Sequence, residues 1–194
     1  FEEMMKVTLR SSFANQGQIC LCGSRILIQK GIYNKFRDEF VRRTKELTIG
    51  DPLLESTKVG AVVSEAHMNK ILNHVQIAKE EGGRILTGGE RVFLKGENSE
   101  GWFVRPTVIE GLDNSCRTNQ EEIFGPVVTL MPFDTEEEAL SIANGTQYGL
   151  SSTIWTNDLK RAHRLAQNLH TGIVWVNCWL IRDLRTPFGG TKSS

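Results

Sequence analysis

The feature that most constrains this chain is an alternation of strand-like runs and helix-like stripes between residues 25 and 176, joined by short connections. Residues 25–29, RILIQ, read as a buried strand, and Tyr33, Phe36, Phe40, Val41 and Leu47 then fall along one face of a helix. Met68, Ile71, Leu72, Val75 and Ala78 form a second helical stripe that stops at Gly82 and Gly83. A short strand is expected at 84–86, a loop rich in Gly, Asn and Glu over 88–101, and an extended stretch over 103–109. Pro106 marks that stretch as an edge strand or as one that ends early. Val127 to Met131 is the next strand, and Thr135 with Glu138 has the spacing of a capping box for the helix carrying Ala139, Leu140 and Ile142. Ser152–Trp155 is strand-like, Asn157 or Asp158 caps the helix through Leu159, Ala162, Leu165 and Ala166, and Ile173–Val176 is the last clear strand. This order predicts an α/β fold with helices layered on a largely parallel sheet.

At 194 residues the chain is long enough for one sizeable core and short for two full domains. Its 23 basic and 23 acidic residues balance, which removes any compositional argument for nucleic acid or an anionic membrane as partner. No apolar run approaches the roughly 20 residues needed to span a bilayer, and the first residues lack a leader pattern, so a cytoplasmic location is the expectation. Cys20, Cys22, Cys116 and Cys178 form no CxxC pair and no zinc spacing with histidine. Free thiols in a reducing compartment, with no metal and no disulfide, are expected. The chain opens at Phe1 inside a helical pattern and stops at Ser194 in a Gly and Ser stretch, and so reads as a piece of a longer protein.

Cys20 closes the segment FANQGQIC, residues 13–20. Over residues 1–14, Phe1, Met4, Met5, Leu9, Ser12 and Phe13 lie near one helical face, and Gly17 is expected to end that helix in a left-handed conformation. Cys20 then falls just past the helix end. The dipole there disfavours a thiolate, so activation has to come from backbone N–H groups, a base or a bound cation elsewhere. Taken alone, Cys20 is either a small buried hydrophobe or a nucleophile without a local base.

Four segments in order decide between these. FANQGQIC at 13–20, EEIFGP at 121–126, TGIVWVNCW at 171–179 and PFGGTKSS at 187–194 resemble the motifs of the aldehyde dehydrogenase superfamily. The resemblance implies a three-layer catalytic domain over residues 1–194, with the NAD-binding domain and a C-terminal tail outside them. It implies Cys20 as the nucleophile that forms a thiohemiacetal and then a thioester, with Cys22 a bystander. The oxyanion would be held by the Cys20 N–H and by an asparagine outside the chain. Glu122 would accept the hydroxyls of the nicotinamide ribose of NAD, Phe124 would position the nicotinamide, and Glu121 would stand behind them. Asn177 and Gly189–Gly190 would shape the floor of the site, with Phe188 anchored in the core. His67 and Lys70 lie on a helix that in some relatives approaches the cofactor, while His67, His74 and His163 read as exposed surface histidines. The resemblance also implies a homo-oligomer, a dimer or tetramer.

One departure from the family pattern is informative. Arg182 stands where many members carry an aromatic residue lining the substrate tunnel. A guanidinium in an apolar tunnel is costly unless an anion pairs with it, and a substrate carboxylate would do so. Asp183 is the internal alternative. The segment around Arg182 resembles a subgroup that oxidises unsaturated six-carbon acid semialdehydes in the breakdown of tryptophan and other aromatics. The competing reading is a non-enzymatic structural member of the same fold. A thiol acyltransferase would need a histidine at Cys20, and only His170 lies near a motif.

Overall fold

A computed structural model describes all residues 1–194. The helices are α1 (Glu2–Phe13), α2 (Tyr33–Lys45), α3 (Glu65–Glu80), α4 (Arg117–Gln120), α5 (Glu136–Asn144) and α6 (Leu159–Asn168). The strands are β1 (Arg25–Gln29), β2 (Arg84–Thr87), β3 (Arg91–Val92), β4 (Phe103–Val104), β5 (Thr107–Glu110), β6 (Val127–Phe133), β7 (Tyr148–Gly149), β8 (Ser151–Ile154), β9 (Ile173–Val176) and β10 (Thr191–Lys192).

The main sheet has the order β1-β6-β5-β2, with β1, β6 and β5 parallel and β2 antiparallel at the edge. Successive residues of a strand point to opposite faces, and here both faces are apolar. Val108, Val128, Leu130 and Ile28 meet Met5 and Phe13 of α1 and Phe36 and Phe40 of α2 on one side. Ile109 and Val127 meet Met68, Ile71, Val75 and Ala78 of α3 on the other. The result is the expected three-layer α/β arrangement. A fully buried side chain such as Phe40 contributes about 1.5–3 kcal/mol to it, and its ring stacks on Phe36 at 5.4 Å.

A second parallel pair, β8 with β9, is joined through α6. Asp158 caps α6 by accepting from the Arg161 N–H at 3.0 Å. Thr135 caps α5 in the same way through the Glu138 N–H at 3.2 Å. Glu138 answers to the N–H of Asp134 at 2.7 Å, one residue before the position a capping box requires. Arg25 ties α5 to the main sheet, donating to the carbonyls of Ile142 and Ala143 at 3.0 Å each, where the helix dipole favours a cation.

Several expectations change. Of the two readings of 103–109, the early end holds and the single edge strand does not: the chain breaks at Arg105–Pro106, β4 pairs with β3 in a separate ribbon, and β5 lies inside the main sheet between β6 and β2. Proline removes the ladder donor at the point where the chain changes sheets, and so costs neither strand a bond. The ribbon also puts a strand inside what read as a loop over 88–101. Gly17 does not end α1, which stops at Phe13; Asn15, Gln16 and Gly17 instead make a left-handed run with φ of 49°, 58° and 71°. His74 is buried at 5% exposure rather than on the surface, and Phe188 is 54% exposed rather than anchored in the core.

Candidate active site

The Cys20 segment is held from three sides. Gly17 lies so close to Gly125 that a Cβ would stand 2.1 Å from the Gly125 carbonyl oxygen, so only glycine fits. This contact joins the first motif to the second. The indole Nε1 of buried Trp179 donates to the Leu21 carbonyl at 2.9 Å and joins it to the third. Gln18 accepts from the Val63 N–H at 3.1 Å, fastening the loop before α3. Leu21, Trp175 and Trp179 form a small core directly beneath.

On this support Cys20 is exposed, and its main-chain N–H donates to no backbone or side-chain group of the chain. That leaves it available to an oxyanion. Cys22 is half-buried, and burial pushes its thiol up to about 11, with the nearby Cys20 adding to the rise. It is therefore a neutral thiol at physiological pH, weakly bonded to the Ala14 carbonyl at 3.8 Å.

Cys20, Glu122 and Phe124 line one groove of about 1020 Å³. No histidine lines it, so a cysteine–histidine dyad has no member here. His170 lies outside the groove, where its main-chain N–H donates to Asn144 Oδ1 at 2.8 Å and its main-chain carbonyl accepts from Thr191 at 2.9 Å. Strands β1 and β8, each with a single hydrogen-bonded neighbour, also line the groove.

The loop between α4 and β6 presents its side chains in alternation. Ile123 is buried in the α3 layer, while Glu122 and Phe124 are exposed. The Glu122 carboxylate makes no ion pair or hydrogen bond within the chain, and so has its full capacity to accept two hydroxyls, as a ribose requires. Its carbonyl accepts from Lys70 Nζ at 2.8 Å, and the Phe124 carbonyl meets His67 Nε2 at 2.6 Å. Phe124 itself is left-handed, φ 58°. Glu121 is occupied: the Arg117 guanidinium at 2.7 Å holds its carboxyl below the ordinary carboxylate range.

Asn177, φ 54°, closes the end of the β8–β9 pair, donating to the Thr156 carbonyl at 2.8 Å and accepting its N–H at 3.0 Å. Where the third and fourth motifs meet, close approach demands Gly172, whose Cβ would stand 1.8 Å from the Gly189 carbonyl oxygen, and a Cβ on Gly190 would stand 2.5 Å from that of Ser194; Gly189 itself has open space around it. Arg182 stands apart from the groove. It is exposed, its guanidinium 5.7 Å from the Phe188 ring centroid, and it pairs with no carboxylate, because Asp183 is taken by Arg185. No helix of the chain is long and apolar enough to cross a membrane.

The roles of His67, Lys70 and Trp179 in holding these loops were not legible as such. His67, Lys70 and Ile71 follow helical spacing, which signals a shared face and not what that face touches.

The model of the aldehyde dehydrogenase family matches residues 1–194. The chain is 48% identical over 195 residues to the 2-aminomuconic semialdehyde dehydrogenase of Mus musculus, covering 100% of this chain and 40% of that protein. It is 44% identical over 195 residues to 4-trimethylaminobutyraldehyde dehydrogenase A of Danio rerio, covering 100% of this chain and 38% of that protein. Among solved structures it matches the betaine aldehyde dehydrogenase of Staphylococcus aureus in complex with NAD+ with a TM-score of 0.95 at 39% identity, covering 99% of this chain and 38% of that one. The chain thus spans about 40% of the length of the relatives it matches.

Proposed function

The chain belongs to the aldehyde dehydrogenase family, and from that premise we propose that residues 1–194 are the cysteine-bearing catalytic domain of an NAD-dependent enzyme that oxidises a carboxylate-bearing semialdehyde, such as 2-aminomuconate 6-semialdehyde or 2-hydroxymuconate semialdehyde. The observation that carries this reading is the meeting of Cys20, Glu122 and Phe124 on one groove.

Each residue has a task. Cys20 Sγ, as thiolate, attacks the aldehyde carbon; the carbonyl electron pair moves to oxygen, and the free Cys20 N–H is the donor this chain offers to it. Glu122 holds the ribose hydroxyls and Phe124 orients the nicotinamide. When bound, NAD supplies a hydride acceptor at the carbon attached to Cys20. Cys20 retains the acyl group as a thioester, which water cleaves more readily than an ordinary ester.

Arg182 lies outside the groove that holds Cys20, so its assignment to the substrate rests on the family resemblance and on its unpaired charge. The names of the relatives offer two kinds of aldehyde, one with an acid at its far end and one with a trimethylamino group. An unpaired guanidinium attracts the first and repels the second. The parent protein is proposed as a cytoplasmic homo-oligomer, a dimer or tetramer.

The test uses the full-length parent with NAD. Cys20→Ala should abolish NADH formation. Arg182→Ala should raise KM for a carboxylate-bearing semialdehyde about 10- to 100-fold, the equivalent of a charged hydrogen bond of about 1.5–3 kcal/mol. A neutral aldehyde of similar size should be nearly unaffected. Equal losses for both aldehydes would make Arg182 structural and remove the substrate assignment, while NADH formation by Cys20→Ala would remove the mechanism.

A further inference from the structure

We propose that His67 and Lys70 are positioning residues for the cofactor loop: one turn apart on α3, they hold the carbonyls of Phe124 and Glu122 and so fix where the Glu122 carboxylate and the Phe124 ring stand. This rests on the reading of Glu122 and Phe124 given above.

The loop needs an external hold. Between the Glu121 N–H, bonded to Arg117, and the Gly125 carbonyl, bonded to Val127, no main-chain group of residues 122–124 bonds to another main-chain group. Side chains of α3 supply what the backbone does not. Lys70 Nζ reaches the Glu122 carbonyl at 2.8 Å and His67 Nε2 the Phe124 carbonyl at 2.6 Å. A carbonyl only accepts, so the proton resides on Nε2 of His67. The rings of His67 and Phe124 also meet edge to face at 6.3 Å. One residue after Lys70, Ile71 packs where a Cβ on Gly125 would stand, 2.5 Å away. Positions i, i+3 and i+4 of one helix face therefore grip three points of the loop, at Phe124, Glu122 and Gly125.

The conformation being held is a disfavoured one. Phe124 has φ 58°, where a bulky residue persists only if its surroundings impose it. Releasing the Phe124 carbonyl lets the backbone relax toward negative φ, which swings the ring away and moves Glu122 with it. Both hydrogen bonds end on main-chain oxygen and leave the Glu122 carboxylate unengaged.

The experiment is made on the full-length enzyme with two paired sets. His67→Phe keeps an aromatic ring and loses the donor, whereas His67→Gln keeps a donor; Lys70→Met and Lys70→Arg are the corresponding pair. Without aldehyde, the Kd for NAD should rise about 10-fold or more in His67→Phe and Lys70→Met and stay within about 2- to 3-fold in His67→Gln and Lys70→Arg. With saturating NAD, KM for the aldehyde should hardly move. In the cofactor-free enzyme, cleavage after Glu121 or Glu122 by a glutamate-specific protease should quicken several-fold in the donor-less variants alone. Unchanged cleavage, or a loss that the donor-bearing variants fail to rescue, overturns the clamp. Glu122→Gln separates the two claims: if it leaves the Kd unchanged, the ribose-binding role of Glu122 fails, and if it weakens binding while the α3 variants do not, only the clamp fails.

Discussion

Gly17 has two reasons to be glycine, a left-handed φ of 71° and a neighbouring carbonyl 2.1 Å from where a Cβ would stand. Either alone would be costly; together they forbid any side chain without movement of the Cys20 or Glu122 loop. Gly17→Ala is therefore expected to lose activity and NAD affinity at once, although residue 17 is itself neither nucleophile nor ligand. Parallel titration of thiol reactivity and NAD binding in the variant checks this, and an unchanged NAD affinity would show that the two loops move independently. The sequence located Gly17 correctly and misjudged its task. A glycine beyond a helix looks like a terminator, whereas the position of Gly125 opposite it is tertiary information. Cys20 was legible only through its company, because no base, charge or spacing near it distinguishes a nucleophile from a small apolar residue. Arg182 was legible as an oddity, but not as a cation left over after Asp183 chose Arg185.

At the scale of elements, periodic segments were readable because burial on both faces of a parallel sheet demands them. The strand limits at β1 and β9 follow from apolar runs bounded by polar or turn residues, whereas β6 runs on past Met131 to Phe133 and β8 spans Ser151–Ile154 rather than 152–155. Residues 103–110 show the limit of such reading, since a run that crosses from one sheet to another has the same letters as a single strand. His74 shows another. Its position three residues after Ile71 and four before Ala78 puts it on the apolar face of α3, yet a histidine is taken for surface by type. Burial keeps its pKa below the ordinary 6.5, helped by Lys70 and Arg117 and opposed by Glu121 and Glu81. Its Nδ1 has no hydrogen-bond partner. As pH falls below 6.5, the unfolded chain takes up the proton and the folded chain resists it, so stability that is complete above 6.5 drains away on acidification. His74→Gln should flatten the fall in Tm between pH 7 and about pH 5 relative to the unmodified protein. An identical slope in both would mean that His74 titrates freely in the folded state.

The whole molecule is a layered core whose outer strands leave open edges, two of them beside the site. β1 bonds only to β6, β8 bonds only to β9, and both border the groove that holds Cys20. Strands that leave a row of main-chain groups unpaired are templates for further pairing. Residues 1–194 produced alone should therefore self-associate without limit as concentration rises, as light scattering would register, whereas the longer parent should stop at its dimer or tetramer. The adhesive surface and the reactive thiol share a wall. Whatever docks along β1 or β8 also shades Cys20, so thiol labelling should slow in step with the scattering, and the reagent meant to count active sites would instead report how many copies have stuck together.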